Sequence, residues 1–141
     1  MRLIILILFL FAFNASHAKA LPDTVTFWQV YLDGYLIKSF NENERNPTLT
    51  IDLEKITKGN KLLIKYFRDT PCSSCPTHLV IYDDAKNEIL SVTGKGTFSS
   101  LSFSINRLTD KWSTQTIKYF EAYYFENNSP HHKLLFTLKF Q

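Results

Sequence analysis

Glycine and proline are scarce in this chain of 141 residues, which contains four glycines and five prolines. Collagen needs a glycine at every third position, and disordered chains are poor in apolar residues, whereas 45% of this sequence is hydrophobic and 15% is aromatic. Both classes are therefore excluded. The sequence also lacks any block of like charges, so no basic stripe is present to neutralise a row of phosphates. We expect no nucleic-acid partner.

The first residues, 1–20, have the pattern of a cleaved secretory signal peptide. Arg2 precedes an unbroken apolar run over 3–13, and the segment ends in the small residues Ala18 and Ala20. This run is shorter than the roughly 20 residues that a membrane-spanning helix needs, and no later segment approaches that length. We therefore expect an exported protein, secreted or periplasmic, that does not span a membrane and has a single domain over residues 21–141.

Hydrophobic residues in that domain alternate with polar ones, which is the period of a β-strand with one buried face. Leu49, Ile51 and Leu53 alternate in this way, as do Leu134 and every second residue up to Phe140. A short helical turn is expected over 106–113, but no longer segment has a helical apolar stripe. The predicted strands, which are also rich in β-branched and aromatic residues, cover 25–31, 35–40, 49–53, 61–67, 78–82, 89–93, 101–105, 116–125 and 134–140.

Turn residues separate these strands at short intervals. Asp33-Gly34 predicts a type I′ hairpin turn, since both residues tolerate positive φ. Parallel neighbours need long crossover connections, so short turns predict antiparallel pairing. We therefore predict an all-β domain, a single antiparallel β-sandwich of about eight to nine strands, with a closed β-barrel as the alternative. The last strand, 133–140, is expected at a sheet edge, where a partner could add a strand by β-augmentation.

A C-x-x-C motif lies between two prolines in the segment 68–78. Exported proteins meet an oxidising compartment, so we expect Cys72 and Cys75 to form a disulfide that clips this loop. By the loop-closure model such a short ring contributes roughly 2 kcal/mol. Thiol–disulfide exchange is an alternative, although the residues that follow Cys75 read as a strand and not as the helix that lowers the pKa of a thiol in redox enzymes.

Metal binding is a further alternative for the same loop. Cys72, Cys75 and His78 are spaced as C-x-x-C-x-x-H, and His131 or His132 could complete a tetrahedral set of nitrogen and sulfur donors. The sequence places these two histidines in a separate turn at an unknown distance from the loop. No cofactor is required by any motif.

Aromatic residues offer candidate binding positions. Tyr119, Tyr123 and Phe125 share one face of a predicted strand, where they form either part of the core or a platform for a sugar or a peptide. Trp28 and Trp112 have the same two interpretations. No Gly-x-Ser-x-Gly turn or other catalytic arrangement is present, so we expect no enzyme activity. The sequence predicts an exported β-sandwich that binds a protein or carbohydrate ligand or serves as a structural module.

Overall fold

In the described part of the chain, nine β-strands form two β-sheets that pack face to face. The computed structural model describes residues 26–57, 59–114, 116–127 and 131–141, so the predicted signal peptide lies outside the described residues. The order of strands is β2-β1-β4-β7 in the first sheet and β3-β9-β8-β5-β6 in the second. The strands are β1 (Phe27–Leu32), β2 (Tyr35–Asn41), β3 (Thr48–Ile51), β4 (Lys61–Phe67), β5 (Pro76–Asp83), β6 (Glu88–Lys95), β7 (Leu101–Ser104), β8 (Phe120–Glu126) and β9 (Lys133–Phe140). Neither sheet closes on itself within the described chain, so the β-sandwich is confirmed and the barrel alternative is wrong.

The core lies between the two sheets and is built from alternate residues of their strands. In β8, Phe120, Ala122 and Tyr124 are buried against the first sheet. Burial of one large apolar side chain contributes about 1.5–3 kcal/mol, so this alternation determines which face of β8 points inward. As a consequence, Tyr123 and Phe125 point to the outer face of the second sheet.

The hairpin between β1 and β2 has the predicted turn. Asp33 and Gly34 have φ values of 48° and 84°, as a type I′ turn requires. The Asp33 carboxylate also accepts a hydrogen bond from the backbone N–H of Lys61 at 2.7 Å, which ties the turn to β4.

The last strand does not lie at the edge of its sheet, so that part of the prediction is wrong. β9 lies between β8 and β3, and residues Thr48–Ile51 of β3 pair with its second half in parallel. The backbone N–H of Thr137 also donates to the carbonyl of Pro47 at 2.8 Å. The parallel pair is possible because most of the domain separates the two strands along the chain, so no short turn joins them.

The predicted strand 49–53 ends earlier than expected, and the predicted strand 116–125 begins later. Leu53 does not continue the alternation of β3, because it opens a 3₁₀ turn, Leu53–Lys55, and is 38% exposed. The Asp52 carboxylate starts this turn by accepting a hydrogen bond from the N–H of Glu54 at 3.0 Å. β8 begins only at Phe120, after the helix α1 (Asn106–Trp112), which confirms the short helical segment that the sequence predicts.

A β-bulge also changes the faces of β9. Phe136 pairs with Ala122 and Leu134 pairs with Tyr123, so the register shifts between these two pairs. Directly opposite residues share a face of the sheet, so Leu134 lies on the outer face with Tyr123, and Lys133 lies on the inner face opposite Tyr124. The expectation that Leu134 shares the face of Phe136 is therefore wrong. Bulges of this kind redirect side chains, and this one points Lys133 toward the end of the core.

Candidate functional site

Aromatic and histidine side chains form a continuous surface on the outer face of the second sheet. We call it the outer aromatic face; it consists of His78, Tyr82, Tyr123, Phe125 and His132. The ring of Phe125 lies between two imidazoles, stacked on His78 with centroids 4.6 Å apart and on His132 at 4.1 Å. His78 and Phe125 come from directly paired positions of β5 and β8, and His132 precedes β9. The register of three neighbouring strands therefore builds this row of rings.

A shallow depression of about 220 Å³ lies beside these rings. Tyr82, Lys86, Tyr123 and His132 line it, and the rings of Tyr82 and Tyr123 meet edge to face with centroids 5.8 Å apart. Glu121 contacts two of the lining residues, because its carboxylate pairs with the ammonium of Lys86 and accepts a hydrogen bond from the Tyr123 hydroxyl at 3.1 Å. The hydrogen bond to Glu121 raises the pKa of Lys86. The depression thus combines apolar ring surface with fixed polar groups.

The remaining aromatic candidates lie in different places. Tyr119 precedes β8 and lies within electrostatic range of the Lys86 ammonium, at the margin of the outer aromatic face. Trp28 is 2% exposed and packs on Phe40 and Tyr66, so it belongs to the core and offers no ring to a ligand. Trp112 is half-buried and covers the end of the core. Its ring contacts the buried Phe120 and Phe140.

The two cysteines lie at disulfide distance, with Cα atoms 5.8 Å apart. Their loop is fastened to the connection between β6 and β7 by backbone hydrogen bonds. Gly96 donates its N–H to the carbonyl of Cys75 at 2.7 Å, and Thr97 donates to the carbonyl of Cys72 at 2.8 Å. Gly96 has a φ of 82°, and a Cβ atom there would lie 2.8 Å from the carbonyl oxygen of Ser73. Only glycine fits this close approach without strain.

The structure does not gather the five candidate metal ligands. The phenyl ring of Phe125 separates His78 from His132, so their nitrogens cannot approach a common ion. Cys72 and Cys75 contact each other. Within the part of the chain that the structure describes, no group of three or more His, Cys, Asp or Glu side chains is arranged to hold a metal ion. β5 begins at Pro76, directly after Cys75, so the motif leads into a strand.

A buried network connects the cysteine loop to β8. Thr97 is 1% exposed, and its hydroxyl accepts the N–H of Cys72 at 2.8 Å and donates to Oε1 of Glu126 at 2.6 Å. The hydroxyl of Tyr124 donates to the same oxygen at 2.9 Å. On the other carboxylate oxygen, the guanidinium of Arg68 lies at 3.3 Å. Burial raises the pKa of Tyr124, and the hydrogen bond to Glu126 adds to the shift.

This network forms one wall of a cleft at the end of the sandwich, which we call the end cleft. It has a volume of about 360 Å³, and it is lined by Tyr66, Arg68, Tyr124, Phe125, Glu126, Asn127, Lys133 and the candidate metal ligand His131. The rings of Tyr66 and Tyr124 stack with centroids 4.2 Å apart. The Lys133 ammonium lies 5.7 Å from the centroid of Tyr66 and 3.7 Å from the carboxylate of Glu42. Phe125 belongs both to the end cleft and to the outer aromatic face.

Among the residues of the end cleft, sequence reasoning named only Phe125 and His131 as candidates, and it gave the histidines a different role. Thr97, Glu126 and Arg68 belong to no motif, and they come from loops and strands that are distant along the chain. The alternation of β8 was the one signal available, because it placed Phe120 and Tyr124 on the face opposite Tyr123 and Phe125.

No helix in the described ranges is long and apolar enough to cross a membrane. In comparisons with known proteins, the sequence matches no protein-family model and no curated protein.

Proposed function

We propose that this protein is an exported, non-enzymatic binding module that takes a carbohydrate on the outer aromatic face. The observation that carries the proposal is the juxtaposition of the Tyr82 and Tyr123 rings with Lys86 around one shallow depression, with Glu121 paired to Lys86. A sugar ring has apolar C–H faces and a rim of hydroxyl groups. Tyrosine rings suit the faces, because tyrosine combines an apolar body with a polar tip. The ammonium and the carboxylate suit the hydroxyl groups, since one donates and the other accepts hydrogen bonds.

The size of the surface favours a carbohydrate over a protein partner. A stable protein interface buries about 800 Å² on each side, whereas this site is a depression lined by four side chains. Ligand sites in general combine apolar and aromatic surface with a few placed polar groups, which is the composition found here.

Addition of a partner strand has less support. β9 is flanked on both sides. The strand β2, at one edge of the first sheet, has features that oppose pairing. Its residue Lys38 is opposite the buried Val30, with the ammonium 5.5 Å from the centroid of Phe40, and a bulge interrupts the register between Val30 and Tyr31. Inward-pointing charges and bulges are devices that keep an edge strand from accepting another chain.

Binding to an oligosaccharide array, with and without substitution of Tyr123, tests the proposal. We expect a set of bound glycans, and we expect Tyr123→Ala to weaken their binding about tenfold, the effect of losing roughly 1.4 kcal/mol of stacking. Tyr35→Ala is the matched control, because Tyr35 is 78% exposed on the outer strand of the other sheet. An array without bound glycans, or equal weakening by both substitutions, would contradict the proposal.

A further inference from the structure

The end cleft and the outer aromatic face are continuous. Phe125 is part of both, and Tyr123 precedes it by two residues on the same strand. Alternate residues on a strand are roughly 7 Å apart, a distance that a chain of a few sugars can span. A chain of a few sugars that lies on Tyr123 therefore reaches the opening of the end cleft beyond Phe125.

Two cationic side chains line this end cleft from opposite sheets. Arg68 follows β4 in the first sheet, and Lys133 opens β9 in the second. Burial lowers the pKa of Lys133, and repulsion by the positive charge of Arg68 adds to this effect. Both side chains are accessible to a ligand, because 40% of the Arg68 side chain and 35% of the Lys133 side chain are exposed.

Each of these cations has one carboxylate partner, Glu126 for Arg68 and Glu42 for Lys133. Glu42, the partner of Lys133, has 41% of its side chain exposed, and such a pair gains little in water. Burial lowers the pKa of Lys133, and this effect is larger than the opposing effect of Glu42. Glu126 accepts hydrogen bonds from Arg68 and from the hydroxyls of Thr97 and Tyr124. A ligand carboxylate can therefore replace the exposed Glu42 at Lys133, and Arg68 has N–H donors left for it beside those that bind Glu126 and Thr70.

We infer that the end cleft binds a carboxylate of an acidic sugar, held between Arg68 and Lys133, so that the ligand is a uronic-acid-containing glycan. This inference rests on the proposed function, because the neutral part of the ligand lies on the outer aromatic face. The planar guanidinium of Arg68 matches the geometry of a carboxylate. Lys133 approaches as a point charge from the other side.

Calorimetric titration with tetragalacturonate and with its methyl ester tests the inference, because esterification removes the carboxylate charges and leaves the sugar chain the same. We expect purified protein to bind the acid at least about tenfold more tightly than the ester. Arg68→Gln and Lys133→Gln should each reduce this preference to less than about threefold, whereas Lys133→Arg should retain it. Lys139→Gln is the matched control, because Lys139 is exposed on the same strand and does not line the end cleft.

The outcomes separate this inference from the proposed function. One outcome would overturn the inference and leave the binding face intact. In that outcome, Tyr123→Ala loses affinity for both probes, while Arg68→Gln and Lys133→Gln keep the acid preference. An acid preference that Lys139→Gln also abolishes would overturn it as well. If Tyr123→Ala binds both probes as the unsubstituted protein does, the proposed function fails. Thermal unfolding of each variant identifies any that do not fold, and Lys133→Arg then decides whether the charge itself is required.

Discussion

The hydroxyl of Thr97 should make a large contribution to stability, since it joins three segments in a buried position. It accepts the N–H of Cys72 and donates to the carboxylate of Glu126. Valine has nearly the same shape but neither donor nor acceptor, so Thr97→Val removes both hydrogen bonds without leaving a cavity. A hydrogen bond to a charged group contributes about 1.5–3 kcal/mol and a neutral one about 0.5–1.5 kcal/mol. We therefore expect Thr97→Val to lower the free energy of unfolding by about 3 kcal/mol.

Urea unfolding followed by the fluorescence of the buried Trp28 measures this difference. The midpoint should fall while the dependence on urea stays unchanged, because the substitution alters stability and not the surface exposed on unfolding. In thermal unfolding, the same loss lowers Tm by roughly 12 °C. Thr93→Val is the matched control, because Thr93 is exposed on β6, and we expect its effect to stay within about 0.5 kcal/mol. A loss below about 1 kcal/mol for Thr97→Val, or equal losses for the two variants, would refute the assigned role of the network.

Three other features of the fold can each be tested by substitution. Gly96→Ala should lose at least about 2 kcal/mol in urea unfolding, because it adds a clash with Ser73 to the strain of a positive φ. Gly34→Ala, with φ of 84° but open space around it, should lose only about 1 kcal/mol, and equal losses would exclude the clash. Hydrogen bonds from Asn87 and Ala85 lower the pKa of Asp83 below its ordinary value of 3.8. The stabilisation of the fold by the ionised Asp83 carboxylate is therefore complete above about pH 4 and is lost as the pH falls through the folded-state pKa. The difference in unfolding free energy between the unsubstituted protein and Asp83→Asn should therefore shrink in acid; a difference that widens would show that the carboxylate is not the stabilising form. Substitution of both Cys72 and Cys75 by serine should cost about 2 kcal/mol or less, since the ring is short. Mass spectrometry of the protein purified without reductant should find these cysteines joined, and two free, alkylatable thiols would contradict the disulfide clip.

Local sequence patterns predicted most of the strands, because alternation and turn residues act over a few neighbouring positions. Asp33-Gly34 adopts its turn from its own conformational preferences, and the alternation of β8 correctly separated Tyr124 from Tyr123. The C-x-x-C spacing brought two thiols close enough to pair, whatever the remainder of the fold. In each case, the interacting groups are adjacent or nearly adjacent along the chain.

Other features depended on partners that are distant along the chain. The sequence allowed Trp28 to be either a core residue or a platform, and only the opposing sheet decided that its ring is buried. His78 and His132 looked like metal ligands by residue type, but strand register placed Phe125 between them.

The alternating pattern was sufficient to predict that the described chain forms β-strands with one apolar face, because burial of that face requires only the period of the pattern. Tertiary structure alone decided which strands are neighbours, where the bulge turns Lys133 inward, and how Arg68, Glu126 and Thr97 meet at one end. The physical reason is that strand pairing uses backbone groups that every residue has in common. Packing of the whole domain therefore decides which strands become neighbours. The positions of the side chains in the proposed binding surfaces follow from that pairing.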